Sequence, residues 1–273
     1  MKKLIAGIVT ALAALLVLAG CGSADNSHKI VIGASPTPHA EILEKVKPIL
    51  KKEGYDLEIK VFDDYVLPNK ALNAGDLDAN YFQHIPYLDL EVKKKGYKIV
   101  NAGAVHLEVM GVYSKTVKNI KDLKDGATVI TSNSPSDWGR IITIFQDAGL
   151  VTLKDGVKKT EATFEDIATN PKHLVFKHDI NPELLTQAYN NEEADLVAIN
   201  ANFAFGAKLN PQKDALLVEK DNSPYVNIIA TQTSHKDDAK IKALVKALHD
   251  KTIVDYVNEK WGGSVKIVPA SSK

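Results

Sequence analysis

Residues 127–149 read ATVITSNSPSDWGRIITIFQDAG, and the fold class turns on this stretch. Residues 127–131 are small, β-branched or apolar, the composition of a buried strand. A short polar connection holding Pro135 follows. Apolar residues then return at helical spacing, and Gly149 stands where a left-handed C-terminal cap belongs. The pattern predicts a strand over 127–131 and a helix over 136–148, with Ser136 or Asp137 as N-cap.

The same alternation extends in both directions. Downstream, strands are expected over 174–177, 195–200, 216–219 and 226–231, with helices over 182–190 and 238–249. Upstream, strands are expected over 29–34, 57–62, 99–105 and 110–113. Helices are expected over 40–53, 68–74 and 85–95, and Pro48 inside the first predicts a kink or a broken turn. Strand–helix alternation argues for α/β layers with largely parallel sheets. Two such series imply two lobes with a ligand cleft between them. The last strand and helix come after the second series, so they are expected to return to the first lobe. The lobes then comprise residues 29–109 plus 228–273, and 110–227.

The N-terminus reads as a targeting signal. Lys2 and Lys3 precede a continuous apolar run over 4–18, short of the roughly 20 residues a membrane span needs. The run ends in Leu18-Ala19-Gly20-Cys21, the form of a bacterial lipobox. Residues 1–20 are thus expected to be cleaved, Cys21 to carry lipid, and 21–28 to serve as a tether. An uncleaved anchor is the competing reading. Cys21 is the sole cysteine, which excludes an internal disulfide and a cysteine-rich metal site. The chain holds 34 basic and 34 acidic residues, and cleavage would remove only two lysines from that balance. Near-neutrality gives no electrostatic footprint for nucleic acid.

Of those 34 basic residues only Arg140 is an arginine. Its planar, five-donor fork does what lysine cannot. Placed in the first turn of the predicted helix, it combines with free backbone N–H groups and the positive dipole end to suit a carboxylate. The competing reading is a surface pair with Asp137 at i, i+3, worth about 0.3–0.5 kcal/mol. Residues 80–87, Asn-Tyr-Phe-Gln-His-Ile-Pro-Tyr, gather three aromatics and a histidine, and Tyr65 lies in a similar junction. They read either as a ligand wall, well suited to a thioether, or as caps on a core. Asn200 and Asn227 interrupt apolar strands, so each amide serves either a backbone turn or a polar ligand.

A metal site using His84 and His106 is the alternative function, with His173 and His178 as a second pair. Neither pair has compact ligand spacing with nearby carboxylates. No nucleophile elbow, His-Glu-x-x-His, phosphate loop or dinucleotide fingerprint occurs, so the chain reads as a binder and not an enzyme, without a cofactor.

The segments 63–72, 75–84 and 101–108, with Ala198-Ile199-Asn200 and Ser223-Pro224-Tyr225-Val226-Asn227, resemble the NlpA-type methionine-binding lipoproteins across the mature chain. The resemblance implies a two-lobed periplasmic-binding-protein fold of type II. It also implies an extracytoplasmic, membrane-anchored monomer that delivers methionine to an ABC permease and its ATPase. By the same resemblance Phe82 and His84, with Tyr65 and Tyr81, surround the side chain. Arg140 holds the carboxylate, Asn200 and Asn227 contact the carboxylate or amine, and Asn133 and His106 belong to matching motifs. The family pattern before the arginine is Pro-Asn-Asp-Pro-Thr-Asn-Gly-Gly; here residues 132–139 read Ser-Asn-Ser-Pro-Ser-Asp-Trp-Gly. Asp137 is thereby expected to compete for Arg140 or to take the ligand amine, and Trp138 to narrow the pocket. Another amino acid or a short methionine-containing peptide stays open as ligand.

Overall fold

The computed structural model describes residues 26–220 and 223–272. The leader, the Cys21 lipidation site and most of the tether lie outside the described residues. Among the described residues, no helix is long and apolar enough to cross a membrane.

The first half of the chain supplies β1 (Lys29–Ala34), β2 (Asp56–Val61), β3 (Ala79–His84) and β4 (Ile99–Glu108). Between them lie α1 (Glu41–Lys52), α2 (Leu67–Ala74) and α3 (Ile85–Lys95). The chain then crosses over to β5 (Gly111–Tyr113) and β6 (Thr128–Ser132), and α4 (Pro135–Asp147) follows. The short strands β7 (Thr152–Leu153) and β8 (Ile167–Thr169) pair with each other. Strands β9 (Val175–Ile180), β10 (Leu196–Ile199) and β11 (Leu217–Val218) complete the second sheet, with α5 (Leu185–Asn190), α6 (Ala201–Gly206) and α7 (Pro211–Asp214) among them. The chain returns through β12 (Asn227–Gln232), α8 (Ala239–Leu248), α9 (Lys251–Trp261) and β13 (Val265–Ile267).

The result is a two-lobed α/β molecule. One sheet has the order β13-β4-β12-β3-β1-β2 and the other β11-β5-β10-β6-β9. Each sheet has its own apolar core. In the first lobe, Ile30 and Ile32 pack with Leu43 and Val46 of α1 and with Leu244 and Val257 of the returning helices. In the second, Ile141, Ile142 and Phe145 of α4 are fully buried against Val129 and Leu196. Burying each such side chain stabilises by about 1.5–3 kcal/mol. The apolar stripe of α4, more than its polar entry, thus fixes how the helix lies.

Both sheets are mixed, which corrects the expectation of largely parallel ones. β1 runs parallel to β2 and β3, but β12 is antiparallel to both β3 and β4. A chain that leaves the first sheet at the end of β4 and re-enters beside it must run the opposite way. The same applies to β5, antiparallel to β10 and β11. The predicted break at Pro48 is absent, and α1 runs through it. Pro48 and Glu44, whose carbonyl loses its donor, both lie on the exposed side, while Ile42, Leu43, Val46 and Leu50 anchor the other. The C-terminal expectation of one helix gives way to two, the second capped by the Asp250 carboxylate accepting from the Thr252 N–H.

Candidate functional site

Glu108 and Asn227, which flank the two chain crossings between the sheets, both line a pocket that draws its walls from the two lobes. Phe82 and His84 come from β3, where i, i+2 spacing places them on one face. Tyr65 and Tyr87 flank them, with ring centroids 6.0 Å apart. Glu108 at the end of β4 and Asn227 at the start of β12 close this side. The opposite wall is polar. Asp137 and Arg140 of α4, one turn apart, and Asn200 and Asn202 around the start of α6 all face the cavity.

Arg140 is buried, but not held as the sequence pattern implied. The helix starts at Pro135 with Ser134 as N-cap, so Arg140 lies in the second turn, and Ser136 and Asp137 lie inside the first. Its Nε donates to Glu219 Oε2 at 2.8 Å and its Nη2 to the Glu108 carbonyl at 2.6 Å, with a further bond from Nη2 to Glu219 at 2.5 Å. The guanidinium also stands 5.0 Å from the Tyr225 ring centroid. Burial works against its charge, but Glu219 more than compensates and raises its pKa. Only Nη1 lacks a partner among the described residues. The two-nitrogen fork expected for a ligand carboxylate is thus spent on Glu219.

Asp137 does not pair with Arg140 as a surface couple. Its Oδ1 accepts from His84 Nε2 at 2.9 Å across the cleft, and its Oδ2 from Asn200 Nδ2 at 3.0 Å. His84 Nδ1 accepts the Tyr87 N–H, so Nε2 carries the proton that goes to Asp137. Burial alone would raise the Asp137 carboxyl, yet His84, Arg140 and Asn200 hold it below the usual carboxylate range. The anion that the helix mouth favours is therefore a residue of the chain itself. A second interlobe contact joins Tyr65 to Asn202, the phenol donating to Oδ1 at 2.6 Å. Burial, Asp137 and Glu108 push the Tyr65 pKa well up, so it stays a donor. With these two latches made, the lobes are closed on one another.

The remaining expected site residues divide. Asn200 lines the cavity with its Oδ1 buried and without a partner among the described residues. Asn227 lines it too, its Oδ1 3.0 Å from His39 Nε2. Tyr81 and His106 are fully buried behind the wall and hydrogen-bonded to each other. Neighbours along a strand face opposite ways, so Tyr81 turns into the core that Phe82 turns from. Asn133 lies outside the cavity, exposed, and donates to Asn181. Trp138 does not narrow the pocket. One position past Asp137 on the helix it points away, packing on Phe164 and His178 and donating to the Ser132 carbonyl. Gly139 beside it is required, since a Cβ there would meet the Lys159 carbonyl oxygen at 1.8 Å.

The proposed metal pairs do not form. Both ring nitrogens of His84 are engaged away from His106. His173 pairs with Asp125 at the surface, while His178 stacks on Phe164. Instead His106 shares a buried cluster with His39 and Glu108, neither of which the residue pattern singled out as functional. Burial lowers the His39 pKa to about 4 despite Glu108 beside it. Burial alone would raise the Glu108 carboxyl, but His39, His106 and Arg140 hold it below its ordinary value. Glu219 was also missed. The available signals were the i, i+2 spacing of His106 and Glu108 in an apolar strand, and the need of a lone buried arginine for an acid.

Comparison with known proteins agrees with this architecture. The NlpA lipoprotein family model matches residues 30–270. The methionine-binding lipoprotein MetQ of Bacillus subtilis (strain 168) is 50% identical, covering 97% of this chain and 98% of that protein. A putative methionine-binding lipoprotein structure from Bacillus subtilis has a TM-score of 0.87 at 51% identity, covering 90% of this chain and 100% of that one. A nutrient binding protein from Burkholderia cenocepacia, in a structure bound to methionine, has a TM-score of 0.82 at 39% identity, covering 87% and 99%. With the family match running from β1 to beyond β13, this chain belongs to the NlpA lipoprotein family.

Proposed function

We propose that this chain captures free methionine between its lobes and delivers it to an ABC permease and its ATPase, without chemical turnover. The observation that carries this reading is the asymmetry of the pocket between the lobes. On the second-lobe side, the Arg140 guanidinium brings a positive charge suited to a carboxylate, and Asn200 Oδ1 offers an acceptor for an ammonium. Glu108 and Asp137 supply the negative charge an ammonium favours. On the first-lobe side, Tyr65, Phe82, Tyr87 and His84 form an aromatic wall for the side chain, with sulfur–ring contacts worth about 0.3–1.5 kcal/mol. Asn227 completes the polar end. Tyr81 and His106 support the wall from behind. The lobes take the limits 29–109 plus 228–273 and 110–227, and lipid on Cys21 holds the monomer at the extracytoplasmic face. Closure then presents a single ligand-loaded shape to the permease, a population shift driven by ligand.

The test is mass spectrometry of the small molecule that co-purifies, followed by calorimetry. Methionine is expected in the protein as isolated. Norleucine, which lacks the sulfur, is expected to bind more weakly by about 0.3–1.5 kcal/mol. A different retained molecule, with no heat on adding methionine, ends the proposal.

A further inference from the structure

We infer that His39, His106 and Glu108 form a binding site for a divalent transition-metal ion of the zinc class, set behind the amino-acid cavity. This goes beyond methionine capture and does not rest on it. The three side chains come from two rigid places. His106 and Glu108 stand at i, i+2 on β4 and so share a face, and His39 lies in the turn that leads into α1. One ligand atom from each falls within 4.8 Å of the other two. Glu108 Oε1 is 3.6 Å from His39 Nε2 and 3.9 Å from His106 Nε2. A tetrahedral ion with bonds of about 2.0–2.2 Å sets its ligand atoms roughly 3.3–3.6 Å apart, close to the separation of Glu108 Oε1 and His106 Nε2.

Unmet hydrogen bonding points the same way. His39 Nδ1, His106 Nε2 and Glu108 Oε2 are buried and lack partners among the described residues. Buried polar atoms are normally satisfied, and each of these three adjacent side chains keeps one that is not. Two imidazoles and a carboxylate match a zinc site that keeps a fourth position open. Nearby cations do not take this role, since Arg140 reaches only the Glu108 carbonyl and commits its other bonds to Glu219. An outer ring of partners is also present. The Tyr81 hydroxyl bonds His106 Nδ1, leaving Nε2 as the ligand atom, and Asn227 Oδ1 accepts from His39 Nε2, leaving Nδ1. Such contacts orient metal-binding imidazoles.

The test is calorimetric titration of the whole lipoprotein in detergent with zinc chloride, in buffer free of chelators and amino acids. A single zinc ion per chain is expected, and a zinc-soaked crystal should show anomalous density between the three side chains. Glu108→Gln and His106→Asn are each expected to weaken uptake about tenfold or more. His173→Ala and His235→Ala, which remove exposed pairs with Asp125 and Asp238, should leave it unchanged. No uptake by the wild-type chain overturns the inference. So does uptake that survives the two buried substitutions and disappears with the surface ones. If the buried variants do not fold, the wild-type anomalous map decides alone, and density elsewhere overturns the site. Methionine affinity in metal-free buffer is read separately, so either proposal can fail without the other.

Discussion

Two buried polar clusters meet beneath the cavity, and they handle charge in opposite ways. Around Arg140 nearly every donor and acceptor is assigned: Glu219 and the Glu108 carbonyl take the guanidinium, while His84 and Asn200 take Asp137. Around His39 each side chain keeps a buried atom without a partner among the described residues. The first cluster ties α4 to both chain crossings and across the cleft to β3, so charge there is kept by pairing. In the second, burial keeps His39 neutral while Glu108 stays a carboxylate, so only the acid keeps its charge. Burial thus has two outcomes within one floor, and the number of opposite charges in direct contact selects between them.

Breaking the pairing should have the largest effect. Arg140→Met leaves Glu219 buried without its cation and is expected to cost about 3–5 kcal/mol of stability, read by urea unfolding without ligand. Adding Glu219→Leu should recover much of that loss, while methionine binding stays impaired in both variants. If Arg140→Met is as stable as wild type, the first cluster is not held by charge pairing.

The second cluster is tested by acid. His39 has a pKa near 4 in the folded chain against 6.5 unfolded, so between these values the unfolded state binds more protons. Its contribution to stability is complete above pH 6.5 and is lost as pH falls towards 4, on the order of 3 kcal/mol in all. Loss of the paired carboxylates Asp137 and Glu108 comes at lower pH, because both are depressed. His39→Gln should flatten the upper part of the stability–pH curve. An unchanged curve in that variant removes His39 from the account.

The smallest effect separates charge from shape. Asp137→Asn keeps the volume and an oxygen for His84 but loses the charge, and about 1.5 kcal/mol of stability should go with it. Measured beside Arg140→Met, it shows whether the latch to His84 depends on the hub at Glu219. A loss equal to that of Arg140→Met would mean that the two contacts act as one unit.

Much of the architecture was legible in the residues. β1 and α3 fall where the pattern predicts them, and Gly96 and Gly149 hold the left-handed conformations that end their helices. Local chemistry decides such features, since periodicity and a residue free to adopt positive φ act within one turn. The aromatic run at 80–87 was legible as a cluster, but not which ring faces the cavity. That choice followed from strand alternation once β3 was set between β1 and β12.

By itself the sequence determined the two series of strands and helices, the solitary arginine and the family. Only the tertiary structure decided that Arg140 shares its fork with Glu219, 79 positions away, and that Glu108 closes a cluster with His39. These partners are joined by the return of the chain through β11 and β12. A contact between residues far apart in sequence leaves no periodic trace, so no local pattern records it. The antiparallel entry of β12 escaped for the same reason: strand direction belongs to the path of the whole chain, not to the residues of the strand.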